Sequence, residues 1–183
     1  MNNSSIFEIK FINPEAVLKQ LDISKGMQAA DFGCGAGYFS LALAKVVAED
    51  GIVFALDILP EKLERVRSQA KNSGINNIVT KRANLELEYG SQLPDKSLDW
   101  VIIKDMLYQN VKKEKIIIEA ERVLKDDGKI LIVEWKTEDV SIGPEKKLRV
   151  DKEDLIDLAQ KNKLGVFKEI EAGDFHYGIV FIK

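Results

Sequence analysis

The short stretch Met27 to Ala30, apolar but for Gln28, leads into Asp31, Gly33, Gly35 and Gly37, an acid and three glycines on alternate positions. Glycines so spaced let the backbone turn sharply and approach a ligand where side chains would stand in the way. The helix start beyond them leaves N–H groups without intrahelical partners. The stretch Ala29 to Tyr38 therefore reads as a buried strand, a glycine loop and a helix start. That unit opens the end of a strand onto a ligand carrying a ribose or a phosphate.

Two cofactor classes use such a unit, dinucleotides and S-adenosylmethionine. The dinucleotide fingerprint needs a third glycine where this chain has Tyr38, and it gives no role to an acid two residues before the first glycine. A carboxylate at Asp31 can pair with an ammonium group, which a methionine moiety carries and a pyrophosphate does not. The pattern Asp31-x-Gly33-x-Gly35-x-Gly37 resembles the first motif of class I S-adenosylmethionine-dependent methyltransferases. The block Arg122 to Leu131 resembles the helix-to-strand segment of the ubiquinone and menaquinone synthesis enzymes and arsenite methyltransferases of that family. The resemblance runs from about Asn13 to the end of the chain.

The order of apolar segments points to an α/β fold. Strands are expected at 27–32, 52–57, around Ile78 and Val79, at 98–103 and at 129–134. Between them lie helices whose apolar residues recur at helical spacing: Phe39, Ala42, Leu43, Val46 and Val47; Leu59, Leu63, Val66 and Ala70; Ile116, Ile117, Ala120, Val123 and Leu124. Gly51, Gly74 and Gly128 are read as their terminators. Strands that alternate with helices make a mostly parallel sheet covered on both faces. Asp151 is placed to cap a last helix that carries Leu155, Leu158 and Ala159 and that Gly165 closes. Residues 166–170 and 177–182 follow as a hairpin around Gly173-Asp174. The expected fold is α/β, and the resemblance to class I methyltransferases implies a Rossmann-like doubly wound seven-stranded sheet, mostly parallel with an antiparallel C-terminal hairpin strand. A single domain spans 1–183, with 1–24 a lid or brace segment and 25–183 the sheet core. In the lid, Phe7 and Phe11 are aromatic, Asn13-Pro14 starts a helix, and Val17, Leu18 and Leu21 form its apolar stripe.

Ligands of an open parallel sheet bind beyond the carboxyl ends of its strands. Asp57, 20 residues after Gly37, ends the second strand, where a carboxylate accepts from both ribose hydroxyls; that feature suits NAD equally. Ile58 stands where an apolar side chain covers an adenine face. The resemblance places Asn84 and the Leu85 N–H at the adenine edge, although the family's usual residue at position 84 is an acid. It places Gly33, Cys34, Gly35 and Tyr38 around the ligand and the Lys104 carbonyl toward the methionine end. Asp105, Tyr108 and Gln109 then face the acceptor, with Asp105 as candidate base and Tyr108 orienting. A solvated loop capping the next helix is the plainer reading of those three. Trp135 and His176 either line the acceptor pocket or pack. Lys146, Lys147, Arg149 and Lys152 are either a solvated loop or an attractor for an anionic acceptor.

Composition narrows partners. A net charge of −3 gives no footprint for a polyanion, so no nucleic acid is expected, and no apolar run is long enough to span a membrane. The expected location is the cytoplasm. One cysteine and one histidine make neither a disulfide nor a zinc cluster, so no metal is expected. Cys34 inside the glycine loop reads as a small residue near the ligand, and no cysteine set matches that of arsenite methyltransferases. Three functions compete: a methyltransferase acting on a small molecule, a subunit that holds S-adenosylmethionine without turnover, and an NAD-dependent oxidoreductase. The last leaves Asp31, Tyr38 and the terminal hairpin without a reason.

Overall fold

In a computed structural model the described residues are 9–138 and 142–183, so Phe7 lies outside them. The strands are β1 (Gln28–Phe32), β2 (Ile52–Asp57), β3 (Ile78–Arg82), β4 (Leu98–Lys104), β5 (Leu124–Trp135), β6 (Gly165–Ile170) and β7 (His176–Ile182). They form one sheet in the order β3-β2-β1-β4-β5-β7-β6. The first five run parallel, and β7 is antiparallel to both β5 and β6. The helices are α1 (Pro14–Leu18), α2 (Tyr38–Val47), α3 (Pro60–Asn72), α4 (Lys113–Val123) and α5 (Lys152–Lys161).

Period-two alternation divides each central strand between two cores. Ala30, Phe32, Val101, Ile103, Ile130 and Ile132 face α4 and α5. Ala29, Trp100, Ile102, Leu131 and Val133 face α1 and α2. Residues one apart on a strand point to opposite faces, so continuous apolar runs are what a sheet buried on both sides requires. A smaller cluster of Leu63, Val66, Ala55 and Cys34 seats α3 on the α2 side of the sheet. Each fully buried Leu, Ile or Phe contributes about 1.5–3 kcal/mol.

The caps fall where expected: Asn13 Oδ1 accepts from Ala16 N at 3.2 Å, and Asp151 Oδ1 from Glu153 N at 2.9 Å. Three terminators differ. The last helical residue of α4 is Val123, and Leu124 is already extended, pairing with Leu98 in the parallel ladder, so neither Leu124 nor Gly128 belongs to the helix. The left-handed turn after α5 is made by Lys163, whereas Gly165 opens β6. Ala48 takes the left-handed position after α2; Gly51 is needed instead because a Cβ there would lie 2.6 Å from the Met27 carbonyl. Leu59, expected in the core, is 44% exposed because it precedes the first turn of α3.

The N-terminal segment crosses the open end of the sheet. Lys10 exchanges two hydrogen bonds with Asp174 in the β6–β7 turn, and the Phe11 and Phe175 rings lie 5.6 Å apart. Val17 and Leu18 then pack in the α2-side core. Three residues of the basic patch are already engaged. Arg149 donates to the carbonyls of Lys136, Glu138, Ile142 and Pro144, while Lys147 pairs with Glu145 and Lys152 with Glu169.

Candidate active site

Strand order reverses between β1 and β4, and the carboxyl ends of these two neighbours leave a crevice. It holds a cavity of about 510 Å³ lined by Asp31, Gly33, Cys34, Gly35, Ala36, Tyr38 and Phe39 on one side. Lys104, Asp105, Tyr108 and Gln109 line the other side, and Ile12 and Pro14 of the N-terminal segment complete the wall.

The three glycines do three different things. Gly33 turns with φ +72°, and a Cβ on it would press on the Met106 sulfur at 3.0 Å. Gly35, at φ +50°, has nothing nearer than 3.9 Å to a Cβ, so its bare face opens on the cavity. Gly37 touches protein instead: a Cβ there would lie 2.7 Å from Val66 Cγ2, so its bareness lets α2 start against α3. Of the three, only Gly35 has open space where a Cβ would stand.

Asp31 ends β1 on the α2 face and is buried, with Ser40 Oγ donating to its Oδ2 at 2.6 Å. Burial pushes its carboxyl up to about 6, against the pull of the hydrogen bonds from Ser40. Asp57 is engaged by backbone: Oδ2 accepts from Gly35 N at 2.9 Å and Oδ1 from Leu59 N at 3.0 Å. Each oxygen keeps a second lone pair. Cys34 is buried, which together with the nearby Asp31 and Asp57 pushes its thiol up; an un-ionised thiol is a poor nucleophile.

The other expected ligand residues surround the adjoining strand ends without lining this cavity. Ile58 is half exposed, the Asn84 amide oxygen accepts from Glu86 N at 3.1 Å, and Leu85 is buried in the core. Tyr38 reaches the cavity from its rim and is 63% exposed.

At the acceptor end, Asp105 sits at φ +52°, a backbone state uncommon for residues other than glycine. Its carboxylate pairs with Lys104, and His176 Nε2 lies 3.0 Å from its Oδ1. Burial favours the neutral acid, but His176 and Lys104 outweigh it and hold the carboxyl below its usual range. Burial, then Asp105 and Glu134, raise the Tyr108 hydroxyl. His176 is buried and packs against Trp135 with ring centroids 4.2 Å apart and ring planes tilted by 43°.

Two participants escaped the sequence reading. Ser40 belongs to the first turn of α2, and only the fold sets it against Asp31. Glu134 is wholly buried and accepts from Met106 N at 3.0 Å and Leu107 N at 2.6 Å, which fixes the turn carrying Asp105 and Tyr108. A charge closing the apolar run Ile130 to Val133 was its only signal.

Residues 23–173 match the family model described as a methyltransferase domain. The chain belongs to the class I S-adenosylmethionine-dependent methyltransferases. It is 32% identical over 138 residues to a ubiquinone/menaquinone biosynthesis C-methyltransferase of Haemophilus ducreyi, a match covering 74% of this chain and 51% of that protein. It is 31% identical over 121 residues to a demethylmenaquinone methyltransferase of Shouchella clausii, covering 64% and 48%. This methyltransferase thus spans about half the length of the curated relatives it matches. Among solved structures it resembles a methyltransferase from Aquifex aeolicus (TM-score 0.86, 24% identity, 94% and 90% covered). It also resembles a putative type 11 methyltransferase from Sulfolobus solfataricus (TM-score 0.77, 25% identity, 94% and 92% covered).

The cofactor of this family is S-adenosylmethionine, and the residues present suit it. Among the described residues a single side chain, Ser40, donates to the buried carboxylate that faces the cavity at Asp31, and the bare face of Gly35 lies beside it. Among the described residues no helix is long and apolar enough to cross a membrane, and no group of three or more His, Cys, Asp or Glu could hold a metal ion.

Proposed function

We propose that this methyltransferase moves a methyl group from S-adenosylmethionine to a small-molecule acceptor in the cytoplasm. The reading rests on one observation above the others, a buried carboxylate at Asp31 on the wall of a cavity that suits a charged amino-acid tail, with the strand end carrying Asp57 beside it for a nucleoside. Asp31 receives the ammonium group, and Gly33, Cys34 and Gly35 form the floor. Asp57 accepts from the ribose, Ile58 and Tyr38 cover apolar faces, Asn84 and the Leu85 N–H read the adenine edge, and the Lys104 carbonyl faces the methionine end. Once bound, the sulfonium supplies an electrophilic methyl carbon. What remains for the protein is to align an acceptor and keep water away.

Asp105, Tyr108 and Gln109 are the acceptor-facing groups. The names of the relatives, C-methyltransferases of quinone synthesis, support a hydroxylated aromatic ring as acceptor. Walls made by Ile12, Pro14, Tyr38, Phe39 and Tyr108 suit a flat apolar ring.

Calorimetry with S-adenosylhomocysteine tests the cofactor assignment, and binding of NAD in its place would overturn it. Labelled cofactor incubated with cell extract tests turnover. Label in a small-molecule fraction supports the enzyme, and tight binding without transfer supports a non-catalytic subunit instead.

A further inference from the structure

The methyl-transfer reading uses only the backbone carbonyl of Lys104, yet among the described residues lining the cofactor cavity Lys104 alone carries a positive side chain. Along β4, Ile102 faces α1 and α2, Ile103 faces α4 and α5, and Lys104 returns to the first of these faces. Asp31 points to that same face from β1, where its register partner is Ile102. The two charges therefore stand on adjacent strand ends, on one side of the sheet and at one cavity. Burial raises the Asp31 carboxyl, and Lys104 is among the groups that pull it back down. The Lys104 side chain is 26% exposed and donates to the Asp105 carboxylate, its one hydrogen-bond partner among the described residues. An ammonium has three N–H groups, so the others are left for the cavity. The glycine loop offers an anion less. The N–H groups of Gly33 and Cys34 are both donated to the Leu56 carbonyl, that of Gly35 to Asp57 and that of Gly37 to the Cys34 carbonyl. These donors are spent within the protein.

We propose that the Lys104 ammonium receives the α-carboxylate of the cofactor, beside the Asp31 carboxylate that receives its α-ammonium. The cavity thereby reads the amino-acid tail as a zwitterion and selects S-adenosylmethionine over its decarboxylated form, which carries the amine alone. This rests on the cofactor reading above. Opposite charges carried on one carbon of the ligand match opposite charges on neighbouring strands, which lie about 4.8 Å apart. A bare amine in the same place meets the Lys104 charge with no carboxylate between them, so like charges face each other. Asp105 occupies one N–H of Lys104 and holds the ammonium at the cavity wall while the remaining N–H groups turn to the ligand. Withdrawing an ion pair from water is costly, and the ligand's carboxylate is the second partner that makes this lysine worth keeping there.

The test is calorimetry at pH 8 with two ligands, S-adenosylhomocysteine and S-adenosyl-3-thiopropylamine, the same molecule without its carboxylate. The unmodified chain is expected to bind the first about 10- to 100-fold more tightly. Lys104→Met should weaken S-adenosylhomocysteine by that same factor and leave the thiopropylamine within about threefold, so that the preference disappears. Lys104→Arg should keep it. Lys104→Gln, which loses the charge and retains a donor, covers the case in which Lys104→Met does not fold. The ratio of the two affinities is the readout, because a variant that only loosens the fold weakens both ligands alike. Equal affinity of the unmodified chain for the two ligands, parallel losses in the variants, or a preference that survives removal of the charge would each overturn the proposal. Failure of the unmodified chain to bind S-adenosylhomocysteine at all would instead sink the cofactor reading on which it stands.

Discussion

Ser40 donates its hydroxyl to Asp31 across 2.6 Å, tying the first turn of α2 to the end of β1 at the wall of the cofactor cavity. The bond satisfies one carboxylate oxygen from the protein side and holds the carboxylate at the cavity, where we propose that it receives an ammonium group. Charge-assisted bonds of this kind contribute about 1.5–3 kcal/mol.

Removing the charge should therefore cost affinity. Asp31→Asn is expected to weaken S-adenosylhomocysteine binding roughly 10- to 100-fold at pH 8, and Ser40→Ala by a smaller factor, both measured by calorimetry. Unchanged affinity in Asp31→Asn would remove the ammonium assignment.

Affinity should also depend on pH. Burial lifts the Asp31 carboxyl to about 6, and an ammonium group binds its charged form, so proton and ligand compete. The dissociation constant for S-adenosylhomocysteine should be flat above about pH 7 and rise about tenfold per pH unit below about pH 6. Asp31→Asn should abolish that slope. A slope that persists in the variant would locate the titrating group elsewhere.

Glu134 predicts a stability effect of known sign. Burial raises its carboxyl to about 7 against an ordinary 4.5, so the folded chain holds a proton that the unfolded chain releases. Stability is highest below pH 4.5 and falls as pH rises to about 7, by about 3 kcal/mol for this group alone. Asp31 adds a similar slope that ends near pH 6. The interval from pH 6 to 7.5 thus isolates Glu134. Urea midpoints of the unmodified chain should fall across it and those of Glu134→Gln should not; parallel curves would refute the assignment.

Gly37 offers a packing test. Alanine there puts a Cβ 2.7 Å from Val66 Cγ2 at φ +82°, so Gly37→Ala should destabilise by about 2 kcal/mol. Combining it with Val66→Ala should recover part of that loss, leaving only the backbone strain. Full additivity in the denaturation cycle would mean that the two side chains do not meet.

How much of this could be read from the chain alone follows from where each cause resides. Alternating apolar runs and helical stripes set the sheet and its two covered faces, because burial periodicity is a local property of sequence. Asp31 and the glycines announced the cavity for the same reason, since a strand, a tight loop and a helix start are contiguous. Helix ends were less legible: Leu124 has the side chain of a helix core residue, but the ladder with Leu98 claims its backbone. Gly37 read only as part of the glycine loop, and its packing against Val66 appears once α3 is in place. Ser40 with Asp31, Glu134 with the Met106–Leu107 turn, and His176 with Asp105 are separated by 9, 27 to 28 and 71 positions, respectively. The sequence determined the cofactor class and the layered sheet. Which charges meet at the acceptor end was decided by the antiparallel return of β7, because only pairing with β5 sets His176 beside Trp135 and within reach of Asp105.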